Sequence, residues 1–287
     1  MAAEPLHQGR RSTKEVHGQS LDQEPDAAED RPFEQPAEQP FAGPDICPVE
    51  APWILMYHSV DTYQDDPYLV TVSPERFARQ MAWLARNGLR GVSVCELLEA
   101  QAAGRSDGLV GLTFDDGYAD LPRQALPVLE RHGFTATAYV VVGRLGGHNI
   151  WDEGPRKRLL SAEQIRRLAG SGIEIGCHSM YHRSLPGLTR EALFQETRSS
   201  RERLEDVVER PVTGFCYPYG ALDQPAVDAV RAGGYEYATA IEHGPLTSRW
   251  ALPRSYVGER DNGLRLRAKQ ARHRMRGLRT RTDGGQS

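Results

Sequence analysis

Two adjacent carboxylates, Asp115 and Asp116, close an apolar run in Gly111-Leu-Thr-Phe-Asp115-Asp116-Gly117-Tyr118. Residues 109–114 have the length and apolar content of a buried strand, and Gly117 lets the chain turn sharply behind the acids. In a β/α fold that C-terminal strand edge is where ligands bind. Most bare Asp-Asp-Gly triplets are solvated turns, so the weight falls on what else reaches the same edge. Residues 173–177 run straight into His178-Ser-Met-Tyr-His182. Imidazoles four residues apart share one face of a helical turn, close enough to hold one cation. Two neutral imidazoles and one carboxylate are a standard triad for a catalytic zinc, with a coordination position left for water. A pair of surface or capping histidines is the plainer alternative.

Two further turns fall at the same edge. Phe215-Cys-Tyr-Pro218-Tyr219-Gly220 follows a strand-like run, and proline and glycine around an aromatic residue make a rigid turn that can offer a backbone N–H and an aromatic wall. Met56-Tyr57-His58-Ser59 ends the first strand-like run and brings a third histidine there. A lone histidine in that place is more often structural.

The elements that must position these residues alternate along the chain. Strands are expected at 53–57, 92–94, 109–114, 135–142, 173–177, 212–217 and 236–240, with a last extended piece at 254–257. Helices are expected at 73–87, 96–103, 121–132, 161–170, 189–208 and 223–232, the first opened by Ser73-Pro74-Glu75 and the fourth by the capping box Ser161-Ala-Glu-Gln164. Seven β/α units in series predict a parallel sheet with helices outside, closed into a barrel-like form over residues 51–259. The connection 143–160 is long for such a unit. It carries Trp151-Asp152, where Trp151 is either part of a lid over the strand-edge site or a hydrophobic plug.

The ends differ from this middle. Residues 1–50 hold eleven Asp or Glu against four Lys or Arg, with seven prolines, and are expected to be disordered. Residues 260–287 hold nine Lys or Arg against two Asp. This basic tail reads as a frayed, solvated terminus or a short helix, with anionic lipid, nucleic acid or the acidic head as the partners its charge would attract. Because head and tail nearly cancel, the net charge of −4 says little about partners, and no nucleic acid is expected. The N-terminus has no apolar run of the kind a secretory signal needs and no stretch reaches membrane-span length, so a soluble, cytoplasmic chain is expected unless another export route operates. Cys47, Cys95, Cys177 and Cys216 lack Cys-x-x-Cys spacing and suit reduced thiols.

Taken in order, Thr113-Phe-Asp-Asp-Gly117, His178-Ser-x-x-His182 and Tyr217-Pro-Tyr-Gly220 resemble the polysaccharide deacetylase family, carbohydrate esterases built on the NodB homology domain. The resemblance implies a distorted seven-stranded (β/α) barrel that removes N-acetyl, or sometimes O-acetyl, groups from an acetylated amino sugar or glycan with a divalent metal, usually zinc. It implies Asp115 as general base, Asp116, His178 and His182 as metal ligands, and the Tyr219 backbone N–H, beside Pro218, as an oxyanion donor. Two positions depart from the commonest family pattern. Cys216 stands where many members have an arginine that pairs with the base, and Leu252-Pro253-Arg254 stands where many have a histidine. A branch with an early Met-Tyr-His and a late Pro-Arg is similar, which implies His58 as the acid and Arg254 beside the base. The competing expectation is a carbohydrate-binding barrel without turnover. A metal-free hydrolase of another kind finds no nucleophile elbow here, since the Gly-x-Ser-x-Gly match at Gly104-Arg-Ser106-Asp-Gly108 precedes a strand instead of joining a strand to a helix.

Overall fold

The structure, a computed structural model, describes residues 51–283, so the expected disorder of residues 1–50 lies outside the described residues. The chain begins with β1 (Ile54–Tyr57), the short β2 (Ser59–Val60) and β3 (Thr71–Val72), α1 (Pro74–Arg86), β4 (Arg90–Val92), α2 (Val94–Ala102) and β5 (Leu109–Phe114). Next come α3 (Leu121–Gln124), α4 (Leu126–His132), β6 (Thr137–Val140), α5 (Ala162–Gly170) and β7 (Glu174–Cys177). The last third holds α6 (Arg190–Phe194), a π-helical turn (Gln195–Ser199), α7 (Ser200–Val208), β8 (Gly214–Cys216), α8 (Gln224–Ala232), β9 (Tyr237–Thr239), β10 (Ser255–Tyr256) and α9 (Gly263–Asp283).

Every strand pairing is parallel, in the order β10-β1-β5-β6-β7-β8-β9. One edge of β5 is shared: β4 pairs with its first half and β6 with its last two residues. Closure comes from the segment before β10. Leu252 donates its N–H to the Ala238 carbonyl at 2.9 Å and accepts from Ala240 N–H at 2.8 Å, and from Ser255 onward the chain pairs with β1. The sheet thus curls into a distorted (β/α) barrel. Its interior is filled by Ile54, Tyr139, Cys216, Tyr237 and Leu252, while the larger apolar layer lies between sheet and helices. The two tyrosines fit because glycines face them. A Cβ on Gly176 would stand 2.5 Å from the Tyr139 ring, and one on Gly214 would stand 2.3 Å from the Tyr237 hydroxyl.

Local chemistry fixes most element ends. Ser73, Ser93, Ser161, Thr189 and Asp223 each cap a helix with a side-chain oxygen, and the capping box at Ser161–Gln164 is complete. The Ser93 cap turns Val94 into the first residue of α2, not the last of a strand as expected. The helix expected over 121–132 is broken at Ala125, because Pro127 cannot donate a backbone hydrogen bond and a new helix opens around it. The basic tail departs furthest from expectation. Instead of a frayed end or a short helix it forms α9, 21 residues long, seated by the fully buried Leu266 and by Lys269 on Asp261 at 2.6 Å.

Candidate active site

Alternation along β5 sends Thr113 and Asp115 into the barrel and Leu112 and Phe114 out toward the helices. Buried Asp115 meets Arg254 as a bidentate pair: Nη1 donates to Oδ1 at 2.7 Å and Nη2 to Oδ2 at 2.8 Å. Arg254, on the segment that closes the barrel, is held in turn. Its Nε donates to the Ala240 carbonyl at 2.9 Å, its Nη1 to Thr113 Oγ1 at 3.0 Å, and its guanidinium carbon sits 5.8 Å from the centroid of the Tyr139 ring. Cys216 Sγ accepts from Arg254 Nη2 at 3.1 Å and donates to Asp115 Oδ2 at 3.6 Å. Burial opposes ionisation of Asp115, but the charge and hydrogen bonds of Arg254 outweigh it and hold the carboxyl below its ordinary value.

Asp116 leaves the strand's alternation. With φ of 69° there and 72° at Gly117, two successive left-handed residues turn the chain at once. Its Oδ1 lies 3.4 Å from His178 Nε2 and 3.3 Å from His182 Nε2. Burial opposes its charge too, yet hydrogen bonding from His178 and His182 takes its carboxyl well below the ordinary value. The two histidines do not share a helical turn, as the spacing suggested. They occupy a loop with left-handed backbone at Ser179 and His182, at φ of 64° and 60°. Glu196 holds that loop from the π-helical turn, its Oε2 accepting from the N–H of Met180 at 3.1 Å and of Tyr181 at 2.9 Å. His178 Nδ1 is 2.8 Å from the Cys216 carbonyl, which can only accept, so Nδ1 carries a proton and Nε2 is the nitrogen turned toward Asp116.

This donor set fits a divalent ion. One atom each from Asp116, His178 and His182 lie within 4.8 Å of one another. Ligands about 2.0–2.1 Å from a tetrahedral ion stand roughly 3.3 Å apart, and both Asp116–histidine separations are near that value. Asp115, His178 and Cys216 also cluster, but Arg254 already takes both oxygens of Asp115 and the Cys216 carbonyl takes His178 Nδ1.

A cavity of about 400 Å³ opens over these groups, with His58, Tyr68, Trp151 and Tyr219 among its walls. His58 Nδ1 is buried without a hydrogen-bond partner among the described residues. Trp151 stacks on His182 with centroids 4.4 Å apart, and Tyr219 meets the same imidazole edge-on at 4.6 Å. Tyr219, left-handed at φ 59°, donates its hydroxyl to Asp152 Oδ1 at 3.2 Å, which ties the Pro218 turn to the long 143–160 connection. That connection is pinned below by Lys157, whose Nζ donates to Ser59 Oγ at 2.6 Å and Thr71 Oγ1 at 2.8 Å. Ser59 donates onward to buried Asp120 at 2.6 Å, and burial pushes the Asp120 carboxyl up to about 6.

Residues 102–238 match the family model described as polysaccharide deacetylase. YxkH of Bacillus subtilis (strain 168), named as a candidate polysaccharide deacetylase, is 31% identical over 193 residues, 67% of this chain and 64% of that protein. This chain contains a polysaccharide deacetylase domain.

Poly-beta-1,6-N-acetyl-D-glucosamine N-deacetylase of Staphylococcus aureus (strain MRSA252) is 20% identical over 202 residues, 66% of this chain and 68% of its own length. Among solved structures, the Streptococcus pyogenes deacetylase PplD in complex with acetate superposes with a TM-score of 0.66 at 20% identity, covering 76% of this chain and 97% of that one. IcaB from Ammonifex degensii gives 0.64 at 24%, covering 76% and 96%. At these identities the two structures share the fold of the deacetylase domain.

Of the residues singled out in the sequence, Asp115, Asp116, His58, His178, His182, Trp151, Tyr219 and Arg254 all line this one cavity, and Pro218 is buried behind Tyr219. Others went unread. Glu196 lay in a stretch that looked like plain helix, and only a π-turn brings it to the histidine loop. Tyr139 reads as strand filling, although strand alternation does predict that it faces inward, and nothing in the sequence shows that Cys216, noted for standing in the arginine's place, touches both Asp115 and Arg254. Lys157 and Asp120 carry no motif at all.

Proposed function

We propose that this domain is a metal-dependent hydrolase that removes N-acetyl, or O-acetyl, groups from an acetylated amino sugar or glycan, with zinc as the expected ion. The observation that carries the reading is the division of labour between neighbouring acids, one locked to a guanidinium and the other facing two imidazoles at ion-sharing distance. Asp116, His178 and His182 would hold the ion, which supplies a Lewis acid and a water of lowered pKa. Asp115, kept ionised by Arg254, takes the proton from the attacking water. The Tyr219 backbone N–H, fixed by the left-handed turn after Pro218, supports the oxygen on which charge develops. His58, whose Nδ1 has no described partner, gives a proton to the leaving amine. Trp151 and Tyr219 present aromatic faces for a pyranose ring.

N-Acetylglucosamine oligomers are the first substrate to test, since a relative is named for that polymer. The expected result is acetate release that requires a divalent cation and disappears in Asp115→Ala. Oligomer binding with no acetate release at any metal loading would leave a sugar-binding barrel in place of an enzyme.

A further inference from the structure

Helix α9 meets the barrel along one side only. Leu266 and His273 are buried there, and Lys269 lies between them on Asp261 and over the Tyr256 ring. At about 100° per residue, these three share one stripe. The stripe diametrically opposite carries Leu264, Ala268, Ala271 and Met275, all exposed, Leu264 by 79% and Met275 by 58%. Rows of exposed arginine border it, Arg267 and Arg274 on one flank, Arg265 and Arg272 on the other. One exposed leucine needs no explanation. An apolar stripe with Leu264 and Met275 turned to solvent and framed by two cationic rows is a register that solvation alone does not ask for.

The surface continues toward the cavity. Leu69 is 58% exposed and held in left-handed backbone at φ 57°, a region leucine rarely adopts, with its carbonyl accepting the Tyr256 hydroxyl. Leu69 and Tyr63 line one groove with Arg265, Ala268 and Arg272, and Asp66 and Tyr256 border both that groove and the catalytic cavity.

We propose that the outer face of α9 docks on a bilayer surface bearing anionic headgroups. The arginine rows meet the headgroup phosphates, Leu264 and Met275 enter the headgroup boundary, and the barrel mouth lies beside the lipid. No helix of the described residues is long and apolar enough to cross a membrane, so the contact is peripheral. A polynucleotide would use the arginines but leave the central apolar stripe in water, and the acidic residues 1–50 would do the same. With only two large apolar side chains on the stripe, charge dominates the attraction, which makes it sensitive to salt.

The test is flotation of the full chain with vesicles of phosphatidylcholine, with and without phosphatidylglycerol. The chain should float only with the anionic vesicles and come off as salt is raised. Leu264→Glu/Met275→Glu and Arg267→Glu/Arg274→Glu should each weaken binding by roughly tenfold or more. The Leu264→Glu/Met275→Glu variant should melt as wild type does, because those side chains face solvent, and Arg267→Glu/Arg274→Glu should lose only the exposed hydrogen bond from Arg267 to Asn87. The proposal is overturned if the full chain does not float, if both double variants float as wild type does, or if vesicles bind only once residues 1–48 are deleted. A chain that binds polynucleotide through these arginines and ignores vesicles overturns it as well.

Discussion

Asp115 and Asp116 are neighbours in sequence and equally buried, yet they serve opposite halves of the cavity. Around Asp115 stand a bidentate guanidinium, a thiol touching both partners, and His58 lining the same cavity, the groups to which the proposed reaction gives charge and protons. Around Asp116 everything faces one point at which an ion can sit, with the histidines fixed from behind by the Cys216 carbonyl and Glu196. The difference comes from one backbone step. Asp115 follows the strand's alternation inward, whereas left-handed dihedrals at Asp116 and Gly117 turn the second carboxylate toward the histidine loop. Adjacent identical residues need not share a role when the backbone between them changes hand.

The comparison can be broken first at His58. Its replacement by Ala should lower kcat/KM for an N-acetyl substrate by about 10²- to 10⁴-fold and flatten the alkaline limb of the pH profile. Metal content should stay, and an activated aryl acetate, which leaves without a proton, should be spared. Equal loss on amide and ester, or loss of the metal, would remove His58 from the proton-handling half.

Arg254→Met strands a buried carboxylate and should cost about 3–5 kcal/mol in urea unfolding at neutral pH. The sign with pH follows from the lowered carboxyl. In wild type, stabilisation by ionised Asp115 is full above the ordinary carboxyl value and is lost as pH falls through the lowered one. Without Arg254, burial favours the protonated acid, so the variant's deficit should shrink as pH drops toward 4. A deficit that stays constant from neutral pH to the acid range would show that Arg254 does not stabilise the ionised acid.

Smaller effects sharpen the ion-holding half. Glu196→Ala should weaken zinc affinity roughly 10- to 100-fold by freeing the Met180 and Tyr181 amides, and Glu196→Gln, which keeps an acceptor oxygen, should restore most of it. Identical affinities in both variants would mean the π-helical turn does not support the histidines. Trp151→Ala is the mildest change, expected to raise KM about two- to tenfold, the worth of one aromatic contact, with kcat nearly kept. A larger fall in kcat than rise in KM would assign the indole to holding His182 and not to sugar.

Much of this was legible in the chain. Ser73, Ser161, Thr189 and Asp223 announced their helices because capping is local chemistry, and 109–114 reads as a strand from composition alone. Asp115 and His178 could be gathered because each follows a strand's end, whereas Arg254 came to the site only through the family resemblance of its late Pro-Arg. What stayed hidden was non-local or depended on backbone hand. The left-handed turn that separates the two acids sits at a non-glycine residue, so no residue type marks it. The His-x-x-x-His spacing suggested a helical turn that the loop does not form. The tail's charge suggested fraying, while its seat on the barrel rests on single residues, Leu266, Lys269 and His273, spaced along an otherwise cationic sequence.

The division between the two acids is tested most directly by counting metal in two isosteric variants. Elemental analysis of purified wild type and Asp115→Asn should find about one divalent ion per chain in each, because no oxygen of Asp115 is needed to hold it. Asp116→Asn should retain almost none, since a neutral amide replaces the only carboxylate of the triad. If Asp115→Asn loses its ion along with Asp116→Asn, or if Asp116→Asn keeps a full one, the two carboxylates do not divide the work in this way.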